Sequence, residues 1–266
     1  MKRKVQAICL LLLIGIVKLP LEQRATNHLR SARLLDDPVP VSALESMGQS
    51  GLTAILGGLR GLVASMLQLR AYTEFKRVNW AQVDSLYRIV TRLQPRNETY
   101  WDEAAWHMAW NAASYYLYNA PGAEMTPQLR GRLREQHIRR GEEILKEGLT
   151  FSPDSWRLWD RLADLYYRRS GENAKAGDAY MQAYEHGAPN YTLHAAGFNY
   201  VKALDAVSWR KGYDILKKEY DRGRATPGLI EHLKTAELLL KIPRDQCIPD
   251  AMPVPKVPQK MVGPMR

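Results

Sequence analysis

Phenylalanine is scarce in this chain, with three residues in 266, and cysteine is scarcer, with two. Cys9 sits in an apolar N-terminal run and Cys247 near the C-terminus, so there is no disulfide framework to read and no C-x-x-C spacing for a metal. The period-two alternation of strands is also missing, which argues against a sheet. So are the signatures of chemistry: no phosphate-binding Walker loop, no G-x-S-x-G, no H-E-x-x-H and no dinucleotide fingerprint. The histidines are His28, His107, His137, His186, His194 and His232, and no two stand four apart on one helix face. His107 lies among Trp101, Trp106 and Trp110 and reads as a packed histidine rather than a base. Catalytic, cofactor and metal sites are therefore not expected, and neither is an enzyme.

Tyrosine (14) and tryptophan (7) are plentiful, and 45% of residues are hydrophobic, which suits an all-α array with large side chains filling the gaps between helices. The formal net charge is +10, but residues 1–37 hold +4 of it and residues 250–266 another +2. A nucleic-acid binder gathers charge on a folded face. Here more than half lies at the two ends, so nucleic acid is not an expected partner.

Lys2, Arg3 and Lys4 precede an apolar run from Val5 to Val17, with Lys18, Leu19, Pro20 and Leu21 behind it. Basic residues before a short apolar core make a secretory signal or an anchor. No small-residue cleavage site follows, which favours an uncleaved signal-anchor over residues 1–21, using 5–21 as the membrane segment. A cleaved signal and a buried core helix are the alternatives. The positive-inside rule then keeps the N-terminus cytoplasmic and exports the body. Residues 22–50, with Asp36-Asp37-Pro38-Val39-Pro40, read as a linker. Residues 243–266, with Pro243, Pro249, Pro253, Pro255, Pro258 and Pro264, read as an extended, poorly ordered tail.

Residues 51–75 are also apolar, but Arg60 stands mid-stretch, at an insertion cost of roughly 2.5–3.5 kcal/mol. The stretch reads as a packed helix with two faces. Ile55, Leu56, Leu59, Leu62, Val63, Met66 and Leu67 form a broad apolar side, and Gly57, Gly61, Ala64 and Gln68 a stripe of small residues opposite. Packing on both sides is the plain reading; docking to a membrane helix or the bilayer interface is the other.

Internal repetition organises residues 51–242. Leu93-Gln94-Pro95 and Phe151-Ser152-Pro153 close similar segments, and each is followed by an aromatic-rich helix, at Tyr100-Trp101 and at Trp156 to Trp159. From Trp156 the pattern runs Trp159, Leu162, Ala163, Tyr166, Ala176, Tyr180, Ala183, with one residue inserted in the Ser170–Asn173 turn. This resembles the tetratricopeptide repeat, a helix–turn–helix unit of about 34 residues. The same phase gives Leu67, Ala71, Val83, Tyr87 and Val90 in a first unit and Trp101, Ala104, Ala105, Met108, Gly141, Leu145 and Gly148 in a second. A weaker fourth unit, 191–224, has Gly197, Val201, Gly212 and Leu216, and a helix from Pro227 to Leu240 caps the array. The second unit carries 24 extra residues between Met108 and Gly141, expected to lengthen both helices and add a loop. The departures from consensus are Arg70 and Val83 in the first unit. The leading stretch Leu56 to Leu62 is also similar to one ahead of such repeats in poorly characterised bacterial membrane-anchored proteins.

The resemblance implies a right-handed α-solenoid of about four helix pairs. It also implies a concave groove lined by the first helix of each pair. In the second unit the lining residues are Thr99, Asp102, Trp106, Ala109 and Trp110, and in the third Arg157, Asp160, Asp164, Tyr167 and Arg168. The function it implies is a membrane-anchored scaffold that assembles or stabilises a cell-envelope complex by binding protein partners, not a small-molecule substrate. A peripheral lipid-binding module and an accessory factor of an envelope enzyme are the alternatives. The basic run Arg130, Arg132, Arg134, Arg139 and Arg140 reads as a solvated face paired with Glu135, Glu142 and Glu143, or as a contact for anionic lipid or an acidic partner. The sequons at Asn97 and Asn190 carry little weight.

Overall fold

The computed structural model describes residues 58–119 and 125–249, together with positions 24, 27, 28 and 31. The expected anchor (1–21) lies outside the described residues, as does all of the linker (22–50) but those four positions. Among the described residues there are nine α-helices and no strand: α1 Arg60–Lys76, α2 Trp80–Leu93, α3 Glu98–Trp106, α4 Pro127–Phe151, α5 Trp156–Leu165, α6 Asn173–Glu185, α7 Tyr191–Lys202, α8 Ala206–Asp221 and α9 Pro227–Leu239. Two helices widen into π-helical turns. α3 continues through His107–Ala112 and Tyr115–Asn119, and α5 through Tyr166–Ser170. No described helix is long and apolar enough to cross a membrane.

Polar residues start the helices. Asn79, Asn97, Thr126, Ser155, Asp205 and Thr226 each accept a backbone N–H of the turn they open, satisfying one of the donors a helix start leaves free. Proline follows the cap at Pro127 and Pro227, where its fixed φ suits the first turn and its missing N–H costs nothing. α5 ends at Gly171 with φ +73°, a left-handed conformation that glycine adopts without strain.

Each helix packs chiefly on the next in sequence, and α3 also touches α5, and α7 touches α9. The repeat phase coincides with the core. Ala71, Val83, Tyr87 and Val90, then Trp101, Ala104, Ala105, Met108 and Leu145, then Leu162, Ala163, Tyr166, Ala176, Tyr180 and Ala183 are all buried. Glycines mark the closest approaches: Gly148 lies against the Trp101 ring, Gly177 against Tyr200 and Gly197 against Leu216. The extra residues of the second unit do lengthen both of its helices, which run to Asn119 and resume at Pro127.

A tryptophan clamp explains why proline and tryptophan keep register. Trp101 Nε1 donates to the Pro95 carbonyl at 2.7 Å, and Trp159 Nε1 to Pro153 at 2.9 Å. Trp209 does the same to Ala203 at 2.6 Å. In each case the ring reaches back six residues and bonds a carbonyl in the link between two helices.

Three details differ from the sequence reading. α1 buries the small stripe: Ala64 and Ala71 are fully covered, and Gln68 Nε2 donates to Glu103 at 2.5 Å. Val63 and Leu67 are half-buried, but Leu59, Leu62, Met66 and Leu69 face outward. Small residues let the backbones of α1 and α2 come close, and that leaves the larger side chains outside. Second, the expected tail at 243 begins too early. Ile248 is 4% exposed beneath α9, and its N–H donates to Glu237 at 2.8 Å. Third, Ala109 is fully buried under Gly141 and lines no groove.

Glycine contacts give a paired test. A Cβ on Gly141 would stand 2.6 Å from Ala109 Cβ and 3.1 Å from the Ala105 carbonyl, whereas one on Gly131 meets nothing within 4 Å. Gly141→Ala is expected to cost about 1–3 kcal/mol through overpacking. Gly131→Ala is expected to gain about 0.5–1 kcal/mol by helix propensity. Urea unfolding midpoints of the two variants check both signs.

Candidate partner-binding face

The residues singled out for binding fall on α3 and α5 and the π-helical turns that extend them, and side chains of α7 complete the cluster. Trp106 and Trp110 stack with ring centroids 4.9 Å apart and planes 12° apart. Trp106 is 41% exposed, high for so large an apolar ring. On α5, Arg161 places its guanidinium 5.6 Å from the Trp106 ring centre. The same guanidinium ion-pairs with Asp102 of α3, Nε to Oδ1 at 2.5 Å and Nη2 to Oδ2 at 3.1 Å. The planar fork of arginine suits a two-pronged carboxylate contact and an aromatic face at once.

Farther along α5, Asp164 accepts from Arg168 at 3.2 Å and from the Tyr180 hydroxyl at 2.7 Å. Asp160 bonds the Tyr191 hydroxyl at the start of α7. Burial, reinforced by Asp164, raises the Asp160 carboxyl above its ordinary range despite the Tyr191 bond and Arg161. Tyr167 is exposed, with the Lys202 ammonium 5.0 Å and the Arg168 guanidinium 5.8 Å from its ring centre. The structure thus joins Asp102, Trp106, Trp110, Asp164, Tyr167 and Arg168 in one chain of contacts through Arg161, and sets Asp160 against Tyr191 beside it. Thr99 and Arg157 stay at the exposed starts of α3 and α5, and Arg157 lies over Trp156.

Three members were missed: Arg161, Tyr191 and Lys202. Carrying the third unit's spacing one unit further lands on Lys202 in the place of Tyr167. Arg161 lies one residue off the expected lining positions, and Tyr191 at the first residue of α7 had no signal of its own.

Other candidate groups have structural partners. Arg139 pairs with Glu135 at 3.3 Å, and Arg140 with both Asp84 (2.9 Å) and Glu143 (3.1 Å). Glu142 instead joins Lys146 and the Tyr166 hydroxyl. Arg134 donates to the Arg169 carbonyl at 2.9 Å, and Arg169 to the Ala109 carbonyl at 2.8 Å, tying the π-helical turn after α5 to the one after α3. His107 packs between Phe75 and Tyr87, with Asn111 beside its Nδ1 at 3.1 Å. An apolar cleft of about 480 Å³ opens among α4, α5 and α6, lined by Leu149, Trp159, Leu162 and Tyr166, and none of the expected site residues lines it. Among the described residues no cluster of ligating side chains could hold a metal.

No protein-family model matches the chain, and no curated protein matches it.

Three partly buried histidines set a pH dependence. Burial lowers the proton affinity of His107, His137 and His232 below the ordinary value of 6.5. For His232 burial outweighs the hydrogen bond to the Gly228 carbonyl, which acts in the opposite direction. The unfolded chain therefore takes up these protons more readily than the folded one. Stability is fullest above the ordinary histidine value and falls as pH drops below it toward the lower folded values. The thermal midpoint is expected to fall between about pH 7.5 and about pH 5.5, and His107→Phe, which keeps a ring between Phe75 and Tyr87, to flatten that slope. Melting curves across this window check it.

Proposed function

We propose that the chain is a membrane-anchored scaffold of tetratricopeptide type that docks a protein partner on the face built by α3, α5 and α7. In this reading the helix pairs form a right-handed α-solenoid and the face lies on its concave side. The repeat phase supports it, because the small positions are where neighbouring helices touch and the large ones fill the space between them. The basic residues and apolar run at the N-terminus support the tether, with the body exported and the partner a membrane or envelope protein. The role requires no turnover.

One observation carries the docking site: the Trp106–Trp110 stack, exposed at Trp106, with Arg161 over it. Tryptophan, tyrosine and arginine dominate the energetics of protein interfaces. An aromatic stack bordered by Arg161 and Asp102, with Tyr167, Arg168 and Lys202 farther along the face, suits a partner segment with apolar anchors and mixed charge.

The test is purification of the tagged full-length protein from crosslinked native membranes, beside a Trp106→Ala/Tyr167→Ala variant. The expected result is a discrete partner with wild type that is lost with the folded variant. A partner retained by the variant, or no partner for a folded wild type, contradicts the proposal.

A further inference from the structure

The outward side of α1 is the least explained surface of the molecule. Leu59, Leu62, Met66, Leu69 and Tyr72 follow one another at three- and four-residue steps on it, with Met66 63% and Leu69 70% exposed. At 100° per residue the same side carries Arg70, Lys76 and Arg77 near the C-terminal end of the helix. All three are exposed, and Lys76 lies 4.6 Å from the Tyr72 ring centre. Glu74, the acid of this helix, is largely covered and accepts from Arg77 and Asn79, so Arg70 and Lys76 supply most of the charge of this face. The opposite side is held by the rest of the fold through Ala64, Ala71 and Gln68.

We propose that this face of α1 lies on an anionic lipid bilayer, with the leucines and Met66 in the interface and the basic end against the headgroups. Interfacial helices combine an apolar face, flanking lysine and arginine, and aromatic residues at headgroup level. Here the fold itself fixes the helix and directs its apolar side outward. The sequence supplies proximity as well: the apolar run Val5–Val17 and its basic leader stand 42 residues before α1. The inference rests on the membrane tether of the proposed function. It adds that the body lies against the bilayer by α1 instead of hanging from its linker. The partner face and the lipid face then belong to different helices.

The test uses the full-length chain with Cys9→Ser and Cys247→Ser, reconstituted into vesicles of phosphatidylcholine and phosphatidylglycerol. Nitroxide labels are placed at Met66→Cys and Leu69→Cys, and at Ser85→Cys and Asp214→Cys as controls; all four positions are exposed, so the labels leave the core intact. Collision rates with oxygen and with a nickel chelate are measured at each site. The expected ratio of oxygen to nickel accessibility is several-fold higher at 66 and 69 than at the controls. Nickel-accessible labels at 66 and 69 in a protein that floats with the vesicles would overturn the inference and leave the tether standing. Failure to float would remove both. Labels shielded from both reagents would assign the face to protein instead, and dipolar broadening between labels would identify that cover as a second copy.

Discussion

The distance between neighbouring helices governs everything else in this molecule. It is set where a glycine or alanine on one helix meets a ring or a branched side chain on the next. Gly148 against Trp101, Gly177 against Tyr200, Gly197 against Leu216 and Gly212 against Val201 repeat one device along the chain. A Cβ at Gly212 would also stand 2.9 Å from the Gly197 carbonyl, so there the backbones themselves are in near contact. Packing this dense leaves little room for adjustment.

Hydrogen bonds made by large side chains then fix each helix at that distance. Tyr87 donates to Glu103 at 3.0 Å, Tyr166 to Glu142 at 2.8 Å, Tyr180 to Asp164 at 2.7 Å and Tyr200 to Asp178 at 2.6 Å. Burial first, and then the neighbouring carboxylate, keeps each of these phenols protonated and donating. Glu103 also receives Gln68, so one carboxylate joins α1, α2 and α3. Near the C-terminal end, burial opposes the charge of Glu219, but hydrogen bonds from Arg224, Arg222 and His194 outweigh it and hold its carboxyl below the ordinary range. The cluster of Trp106, Arg161, Asp160 and Tyr191 spans α3, α5 and α7, so its geometry follows from this spacing.

The sequence made the register legible because a proline and a tryptophan six residues apart are a physical unit, one supplying a carbonyl and the other an N–H. It made the small positions legible because only they permit close approach. It expected α1 to be packed on both sides, and the side of Gly61 and Ala64 is, whereas Leu62, Met66 and Leu69 face outward; periodicity separates two faces of a helix without saying which of them finds a partner. Proline content hid the contribution of Ile248, a single apolar residue that acts through its contacts with α9. Ala109 was placed by a spacing rule that takes no account of Gly141, 32 residues later, closing over it. Arg161 escaped because its value lies in what faces it across the α3–α5 contact, and no linear spacing encodes that.

Each helix is coupled to its neighbours through these close contacts. Packing is chiefly between neighbours in sequence, so a local disruption passes first to the adjacent helices. The most direct measurement is amide hydrogen exchange, read by mass spectrometry, on Gly177→Val beside wild type. A Cβ at Gly177 would lie 2.6 Å from the Tyr200 ring, so the added side chain must separate α6 from α7. Protection is expected to be lost at that interface, through α6 and α7 and into α5, with α1 and α2 unchanged. Loss confined to α6, or spread evenly over every helix, would contradict this coupling.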